Sequence, residues 1–401
     1  MKNKKRKWIK FRHGVYLSIA KFLLRGFVKS RYSISIEKFN KEKKRPYLIL
    51  YNHQTAFDQF FVALSFKGKI YYVASEDLFS NGFVSKLLKH AVAPIPIKKQ
   101  TTDPKAVMDC IRVAREGGSI AIAPEGNRTF SGKTEHINPS IAKLAKLIKL
   151  PIVFFRIEGG YGVHPRWSDK VRKGKMRAFV SRIIEPEEFL PLTDEQLNKI
   201  IKDELFVLEA TDSGKFKSKV GAEYLERLLY VCPHCGLANF YSEGDTVKCL
   251  KCGKTATYNP DKTFTGDFGF KYVNDWYEYQ QEYISNLNLA DFYGAPAFTD
   301  RANLFDVVLY KKKRIKYRDA EILLYGNKII VKSKVGEKLE FNFDDVTGAS
   351  VLGRNKLNVY CNGKVYQLKG GKRFNAVKYV NFYYANKNAT EEKANGKFLG
   401  L

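Results

Sequence analysis

Short β-rich runs alternate with helical runs from residue 46 to residue 157, and this alternation constrains the fold more than any other feature of the chain. Strand patterns cover residues 47–51, 70–74, 92–97, 119–123 and 151–157. Helical patterns lie between them, near 56–66, after Asp103-Pro104 and after Asn138-Pro139. The alternation predicts a layered α/β domain with a mostly parallel sheet. Ligands bind such sheets beyond the strand ends, so we expect a site in the loops after residues 51, 123 and 157.

The chain is long and strongly basic. It has 401 residues, 70 Lys and Arg against 41 Asp and Glu, and a formal net charge of +29. The length predicts two or three domains, and the 44 % hydrophobic content excludes a wholly disordered chain. No charge-free stretch reaches the ~18 residues of a membrane span. The positive excess indicates an anionic partner, which is nucleic acid, an acidic membrane surface or a phosphorylated small molecule.

The positive charge is concentrated at the start of the chain. Residues 1–30 carry ten Lys and Arg, and no acidic residue precedes Glu37. The pattern predicts an N-terminal amphipathic helix at an anionic membrane interface, with an ordinary domain helix as the alternative. At ~100° per residue its apolar face comprises Trp8, Val15, Ile19, Phe22 and Leu23, and its basic face Lys7, Lys10, Lys21 and Arg25. No cleaved signal peptide is expected, because Lys21 and Arg25 break the apolar pattern and no small-residue cleavage site follows.

Four of the six cysteines form two Cys-x-x-Cys pairs. Cys232 and Cys235 make the first, Cys249 and Cys252 the second, and a glycine follows each pair. This spacing is typical of a zinc ribbon in which four thiolates fill the tetrahedral positions, so the predicted zinc is structural and not catalytic. Disulfides are the alternative, and they would require an oxidising compartment that nothing in the sequence indicates.

The C-terminal part of the sequence has a pattern unlike the strand-helix alternation of residues 46–157. Tyr325-Gly326-Asn327-Lys328 and Cys361-Asn362-Gly363-Lys364 are turn signals flanked by alternating strands, and a helix is predicted near 373–384. Antiparallel strands followed by one helix resemble the pleckstrin-homology (PH) or GRAM-like fold. The expected division is an α/β domain with its N-terminal membrane-interfacial helix at 1–228, a zinc ribbon at 229–258, a helical linker at 259–300, a β-rich PH/GRAM-like module at 301–386 and a disordered tail at 387–401. Residues 172–225 are expected to be helical.

The loop after the first strand contains Asn52-His53 and, five positions after His53, Asp58. The two side chains meet only if His53 lies in the loop and Asp58 in the first turn of the following helix. Asp58 would then fix the tautomer of the imidazole and leave its other nitrogen to take a proton. The alternative is a purely structural capping box formed by Thr55 and Asp58.

The loop after residues 119–123 is Pro124-Glu125-Gly126-Asn127-Arg128. It places a guanidinium, whose planar fork of donors suits phosphate, at the same edge of the sheet. Lys98 and Lys99 follow another strand and could add positive charge. The alternatives are solvated lysines and a local Glu125–Arg128 ion pair.

These motifs resemble the 1-acylglycerol-3-phosphate acyltransferases (lysophosphatidic acid acyltransferases) over residues 8–225. Asn52-His53 through Asp58 match their NHxxxxD motif, and residues 124–128 match PEGTR with Asn127 in place of Thr. Leu150-Pro151-Ile152-Val153 fit the fourth motif. The second motif usually ends in Arg, where this chain has Lys98 or Lys99, and Lys lacks the bidentate geometry.

The resemblance implies an O-acyltransferase that moves a fatty acyl group from acyl-CoA or acyl-carrier protein to 1-acylglycerol 3-phosphate, giving phosphatidic acid. His53 would act as general base and Asp58 would orient it. Arg128, with Lys98 or Lys99, would hold the phosphate, and Glu125 and Gly126 would help place the acceptor. No catalytic metal is implied.

Two alternatives remain open at the level of sequence. One is acylation of another lysolipid or of glycerol 3-phosphate. The other is a non-catalytic RNA-binding zinc-ribbon protein, for which the basic and aromatic residues 310–318 (YKKKRIKYR) are the signal. We favour a peripheral enzyme on the cytoplasmic face of an anionic membrane and disfavour a nucleic-acid partner.

Overall fold

A computed structural model describes residues 7–39, 45–97, 103–211, 214–308 and 311–390. Its N-terminal half is built on a seven-stranded sheet in the order β1-β7-β6-β2-β5-β3-β4. The strands are β1 Ser33–Ile36, β2 Leu48–Tyr51, β3 Ile70–Ser75, β4 Ile95–Ile97, β5 Ser119–Ile122, β6 Ile152–Glu158 and β7 Lys175–Ile184. Neighbouring strands are parallel except β6 and β7. The predicted α/β class with a mostly parallel sheet is therefore confirmed.

Helices cover both faces of this sheet. They are α1 Phe11–Arg31, α2 Asp58–Ser65, α3 Phe83–Ala91, α4 Pro104–Arg115, α5 Ser140–Ile148, α6 Gly160–Val163, α7 Pro186–Phe189 and α8 Asp194–Leu205, with a 3₁₀ turn at Glu76–Phe79. Alternate residues of one strand serve opposite faces, as a pleated strand requires. Leu48 and Leu50 of β2 pack in the core under α4, α5 and α8, whereas Ile49 and Tyr51 pack in the core under α1 and α2.

The expectation that residues 172–225 are helical was wrong for β7, which is a ten-residue strand. Its sequence, KMRAFVSRII, begins with polar and apolar residues in alternation, and Met176 and Ala178 are buried while Lys175 and Arg177 are exposed. That period of two is a strand signal. The short edge strand β1, which pairs with β7, was not predicted either.

The topology brings three loops together. Strand β2 lies between β5 and β6, so the loops that follow these three strands leave the same edge of the sheet side by side. They contain residues 52–57, 123–139 and the start of α6. The expectation drawn from parallel-sheet topology thus holds for the positions of these loops.

The C-terminal half consists of antiparallel sheets and two helices. Its elements are β8 Val231–Cys232, β9 Gly236–Leu237, β10 Phe240–Glu243, β11 Thr246–Cys249, β12 Thr255–Tyr258, β13 Phe264–Gly266, α9 Val273–Ser285, β14 Phe298–Val307, β15 Arg314–Leu324, β16 Lys328–Lys332, β17 Lys338–Asn342, β18 Val346–Leu352, β19 Lys356–Cys361, β20 Lys364–Gly370 and α10 Val377–Thr390, with 3₁₀ turns at Leu225–Arg227 and Leu289–Phe292. The turn expected at Asn362-Gly363 is present, with both residues at positive φ.

Seven of these strands form one sheet in the order β17-β16-β15-β14-β20-β19-β18, and β10 to β13 form a second. One continuous hydrophobic core joins the cysteine-bearing segment, α9, the seven-stranded sheet and α10. Phe130 and Trp167, from loops of the N-terminal half, are also in that core. Helix α10 extends past residue 386 to Thr390.

Helix α1 turns an apolar stripe away from the protein. It packs inward through His13, Leu17 and Val28. Phe11, Val15, Ile19, Phe22 and Leu23 are all exposed, Phe11 by 86 % and Phe22 by 78 %. Trp8 precedes the helix and donates its indole N–H to the Ala93 carbonyl, and Lys21 donates to the Phe66 carbonyl instead of contributing to a solvated basic face. None of the described helices combines the length and apolarity that crossing a membrane requires.

Candidate active site

His53 and Asp58 are in direct contact. The Nδ1 atom of His53 lies 2.8 Å from Oδ2 of Asp58. His53 lies in the loop after β2 and Asp58 is the first residue of α2, which is the arrangement that brings residues five apart together. Asp58 is completely buried, whereas the His53 side chain is 22 % exposed. Because a carboxylate only accepts, the proton of a neutral imidazole is on Nδ1 and the basic lone pair is on Nε2.

The same Asp58 carboxylate also closes the loop. It accepts the backbone N–H groups of Gln54 and Thr55 at 2.7 and 3.0 Å, and the Thr55 hydroxyl at 2.6 Å. The helix cap itself is Phe57, with no side-chain cap hydrogen bond, so the predicted capping box of Thr55 and Asp58 is not formed. The Asp58 carboxylate instead holds the loop and contacts His53. The Gln54 N–H, the Thr55 N–H and the Thr55 hydroxyl fix the position of this carboxylate independently of the imidazole.

Asn52 and Glu125 fix the loop to its neighbours. The Asn52 amide donates to the carbonyl and accepts from the N–H of Ile157 on β6, both at 2.8 Å. Glu125 accepts the His53 N–H at 2.7 Å and the Glu135 N–H at 3.0 Å. Burial raises the pKa of Glu125 well above its usual range. Both carboxylate oxygens of Glu125 thus hold backbone, and Gly126 turns the chain after it at a φ of 69°.

Arg128 is a buried guanidinium with an unused donor. It is 8 % exposed, and its Nη1 has no hydrogen-bond partner among the described residues. Burial and the charge of Arg354 lower its pKa to about 10, so it stays cationic at neutral pH. Lys98 and Lys99, the other cations expected here, lie outside the described residues.

Four residues that the sequence did not indicate, Tyr32, His164, Arg354 and Arg31, lie beside the loop that ends at Phe57. Tyr32 Oη lies 3.0 Å from Nδ1 of His164, and Nε2 of the same ring lies 3.0 Å from Nη2 of Arg354. Phe57 stacks on the His164 ring, and the Arg31 guanidinium lies 5.7 Å from the centre of the Phe57 ring. These residues are scattered over the chain without motif spacing, so only the fold brings them together.

Arg166 joins the Arg128 loop to the C-terminal half. This side chain is 1 % exposed and its guanidinium lies over the Phe130 ring at 4.0 Å. It donates to the Arg128 carbonyl at 2.7 Å and to the Asn127 side chain at 3.3 Å. It also donates to the carbonyls of Val351 and Gly353, at 2.8 and 2.7 Å, in the hairpin formed by β18 and β19. The hairpin is thereby held against the loop that carries Arg128.

The four cysteines of the two pairs converge. Their Sγ atoms lie within 4.8 Å of one another, and the contacts Cys232–Cys252 and Cys235–Cys249 measure 3.7 and 3.6 Å. Tetrahedral ligands at a Zn–S distance of ~2.3 Å are about 3.8 Å apart. The arrangement is compatible with a zinc site, and these separations are far too long for the disulfide alternative.

Comparison with known proteins finds similarity in the N-terminal half of the chain. Residues 33–158 match the family model described as Acyltransferase. A 1-acyl-sn-glycerol-3-phosphate acyltransferase of Bacillus subtilis (strain 168) is 24 % identical over 143 residues, which are 34 % of this chain and 68 % of that protein. The crystal structure of the lysophosphatidic acid acyltransferase PlsC from Thermotoga maritima covers 48 % of this chain and 75 % of its own, at 18 % identity and a TM-score of 0.39. Residues 33–158, which contain His53, Asp58 and Arg128, are therefore the part of the chain that is similar to the acyltransferase family.

Proposed function

We propose that the protein transfers a fatty acyl group from an acyl thioester to the free hydroxyl of 1-acylglycerol 3-phosphate and so forms phosphatidic acid. The observation that carries the proposal is the contact between His53 and the buried Asp58, beside a buried arginine that has a donor to spare. The 1-acyl-sn-glycerol-3-phosphate acyltransferase from Bacillus subtilis supports the choice of acceptor.

The chemistry follows from the tautomer of His53. Nε2 removes the proton of the acceptor hydroxyl as its oxygen attacks the thioester carbonyl, and Asp58 stabilises the imidazolium that forms. The tetrahedral intermediate collapses with cleavage of the C–S bond. A thiol of pKa ~8.5 leaves readily as thiolate, which then takes the proton from Nε2. No covalent acyl-enzyme is required.

Arg128 supplies the phosphate contact in this proposal. A buried guanidinium with an unsatisfied N–H gains more from an anion than an exposed one, because neither partner then keeps its water. Lys98 and Lys99 remain proposed contributors. Glu125 and Gly126 act through the backbone of the loop, by holding His53 and turning the chain toward Arg128.

An anionic membrane surface on the cytoplasmic side is the proposed source of the acceptor. The exposed stripe of α1 continues onto α3, where Phe83, Val84 and Leu87 are exposed. The two helices touch through Tyr16 and His90. The basic turn before β15 adjoins them, since Lys313 donates its N–H to the Ser80 carbonyl. Apolar side chains bordered by lysines are typical of a peripheral membrane surface.

We further propose that a structural zinc ion held by Cys232, Cys235, Cys249 and Cys252 stabilises the segment 229–258, and that the β-rich part, at 301–386 by sequence, is a PH/GRAM-like module. Support for the module is its seven antiparallel strands and closing helix. RNA binding remains the disfavoured alternative. Tyr317, one aromatic residue of the basic run, is buried and therefore has no face on which a base could stack.

The test is an assay of the purified full chain with 1-acylglycerol 3-phosphate and either acyl-CoA or acyl-carrier protein as donor. Thiol release and phosphatidic acid, identified by mass spectrometry, are followed together. We expect turnover with one donor and a fall in kcat of roughly a thousandfold or more for His53→Ala. His136→Ala, at an exposed histidine, serves as the matched control. Near-normal turnover by a folded His53→Ala protein would refute the mechanism, and preference for another lysolipid or glycerol 3-phosphate would redirect the acceptor assignment.

A further inference from the structure

The hairpin between β18 and β19 brings a second arginine of the C-terminal half to the active site. Arg354 is at the tip of this hairpin, next to Gly353, whose carbonyl is held by Arg166. Nη2 of Arg354 contacts His164 at 3.0 Å, and Nη1 contacts Asp169 at 3.3 Å. Its Nε is buried without a hydrogen-bond partner among the described residues. Arg354 therefore resembles Arg128 in having a buried donor to spare.

His164, which contacts Arg354, is neutral. An arginine can only donate, so Nε2 of His164 accepts from Arg354 and its Nδ1–H donates to Tyr32. Burial, with the charges of Arg128, Arg354 and Arg31, lowers the pKa of His164 to about 3. His164 thus positions Arg354 without adding a charge of its own.

Positive charge in this corner exceeds what the neighbouring carboxylates balance. Asp169 is shared between Arg354 and Arg227, which it contacts at 2.8 Å. Asp58 is committed to His53 and to its own loop. The charge of Arg354 is close enough to lower the pKa of Arg128. Two guanidiniums that repel each other and each keep an unsatisfied N–H are stabilised by an anion placed between them.

We propose that Arg354 of the C-terminal hairpin completes, together with Arg128, the site that binds the phosphate monoester of the acceptor. This inference rests on the proposed function for the identity of the acceptor. It assigns the C-terminal half a direct part in acceptor recognition. Arg354 also supplies a planar guanidinium in a chain whose second motif has Lys98 or Lys99 in place of arginine.

The test compares full-length wild-type protein with Arg354→Ala, Arg354→Lys and the matched control Arg318→Ala, at an exposed arginine on β15 of the same module. For 1-acylglycerol 3-phosphate we expect Arg354→Ala to raise KM about tenfold or more and Arg354→Lys to give an intermediate value. With 1-acylglycerol, which lacks the phosphate, wild type and Arg354→Ala should have the same kcat/KM. A change of equal size for both acceptors would mean a purely structural role and would overturn the proposal.

Calorimetric binding of glycerol 3-phosphate separates this proposal from the proposed function. We expect the affinity to fall about tenfold or more in Arg354→Ala and to stay unchanged in Arg318→Ala, with melting temperatures confirming that each variant is folded. Loss of binding in Arg354→Ala, in a wild-type protein that acylates no lysolipid, would support the anion site and refute the acyltransfer. Normal binding and normal KM in Arg354→Ala, or no binding by wild type, would refute the inference while leaving the acyltransfer intact. Should Arg354→Ala fail to fold, Arg354→Lys and Arg354→Gln provide the same comparison.

Discussion

The carboxylate of Asp58 combines a structural task with the chemical task proposed for it. The hydrogen bonds from Gln54, Thr55 and His53 all end on this one group. A completely buried carboxylate held by several donors is fixed in orientation, and it fixes the imidazole that contacts it. These contacts give the loop the rigidity that the proposed general-base role of His53 requires.

His164 leads to a prediction about pH. Its pKa falls from the ordinary value of 6.5 to about 3 in the folded protein, chiefly because the ring is buried. A histidine with a depressed folded pKa takes up its proton first in the unfolded chain, so stability is present above pH 6.5 and is lost as the pH falls toward 3. We expect this residue alone to cost roughly 2 kcal/mol of the free energy of unfolding at pH 5 relative to pH 8.

The measurement is denaturant unfolding across that pH range. His164→Gln, which keeps a donor and an acceptor, should flatten the pH dependence, whereas His90→Gln, at an exposed histidine, should not. An unchanged pH profile in folded His164→Gln would contradict the assigned protonation state.

At the residue scale, the predictable part of the candidate site is the part with motif spacing. His53, Asp58 and Arg128 occur at fixed offsets after strands, and the structure places them together. Tyr32, His164 and Arg354 were not predictable, because each is a single residue whose neighbours in sequence say nothing about the side chain it meets. Their association depends on tertiary packing alone.

Among the elements, the strands of the parallel sheet were predictable and the edge of the sheet was not. Buried parallel strands are nearly continuous apolar runs, as in Leu48–Tyr51 and Ser119–Ile122. Strand β7 carries charges on its exposed side, and those charges gave the segment a polar, helix-like composition. The pairing of β1 with β7 is long-range, which sequence periodicity does not report.

Helix α1 supports a prediction at the same scale. Its exposed stripe has no protein partner in the described structure, and we propose that lipid covers it. The double variant Ile19→Asp/Phe22→Asp should weaken binding to vesicles containing anionic phospholipid by roughly tenfold or more, since two apolar side chains no longer enter the interface. Flotation of the full chain with such vesicles measures this.

Val335→Asp provides the matched control, because Val335 is 83 % exposed in the turn between β16 and β17. Binding of wild type should also weaken as salt is raised. Equal flotation of the double variant and wild type would show that the stripe of α1 does not contact lipid.

For the whole molecule, the defining feature is the core that the cysteine-bearing segment shares with α9, the seven-stranded sheet and α10. Cys232 and Cys249 are themselves buried in it. Composition and turn signals predicted that these segments are separate and differ in secondary structure. The shared core was not predictable, because no local pattern shows that Phe130 and Trp167 pack with side chains from residues 222–384.

Because the cysteines belong to that core, loss of the proposed zinc should destabilise the parts of the C-terminal half that share it and not only residues 229–258. Cys232→Ser/Cys249→Ser should lower the free energy of unfolding by about 3 kcal/mol or more, which is roughly 6–12 °C in Tm for a unit of this size. EDTA should lower the Tm of wild type and added zinc should restore it. Elemental analysis should find zinc in wild type and not in the variant. A zinc-free wild-type protein with a Tm insensitive to EDTA would rule out the structural metal.

The contact between Arg166 and the β18–β19 hairpin can form only late in synthesis. The Arg166 partner Val351 is 185 residues further along the chain, which corresponds to about 10 to 40 s of translation at ~5–20 residues per second. During that interval the ribosome has already produced His53, Asp58 and Arg128, but the hairpin that is held against the Arg128 loop does not yet exist. If the proposed site is correct, a nascent chain lacks part of it, and activity should begin only when β18 and β19 have folded against the Arg128 loop.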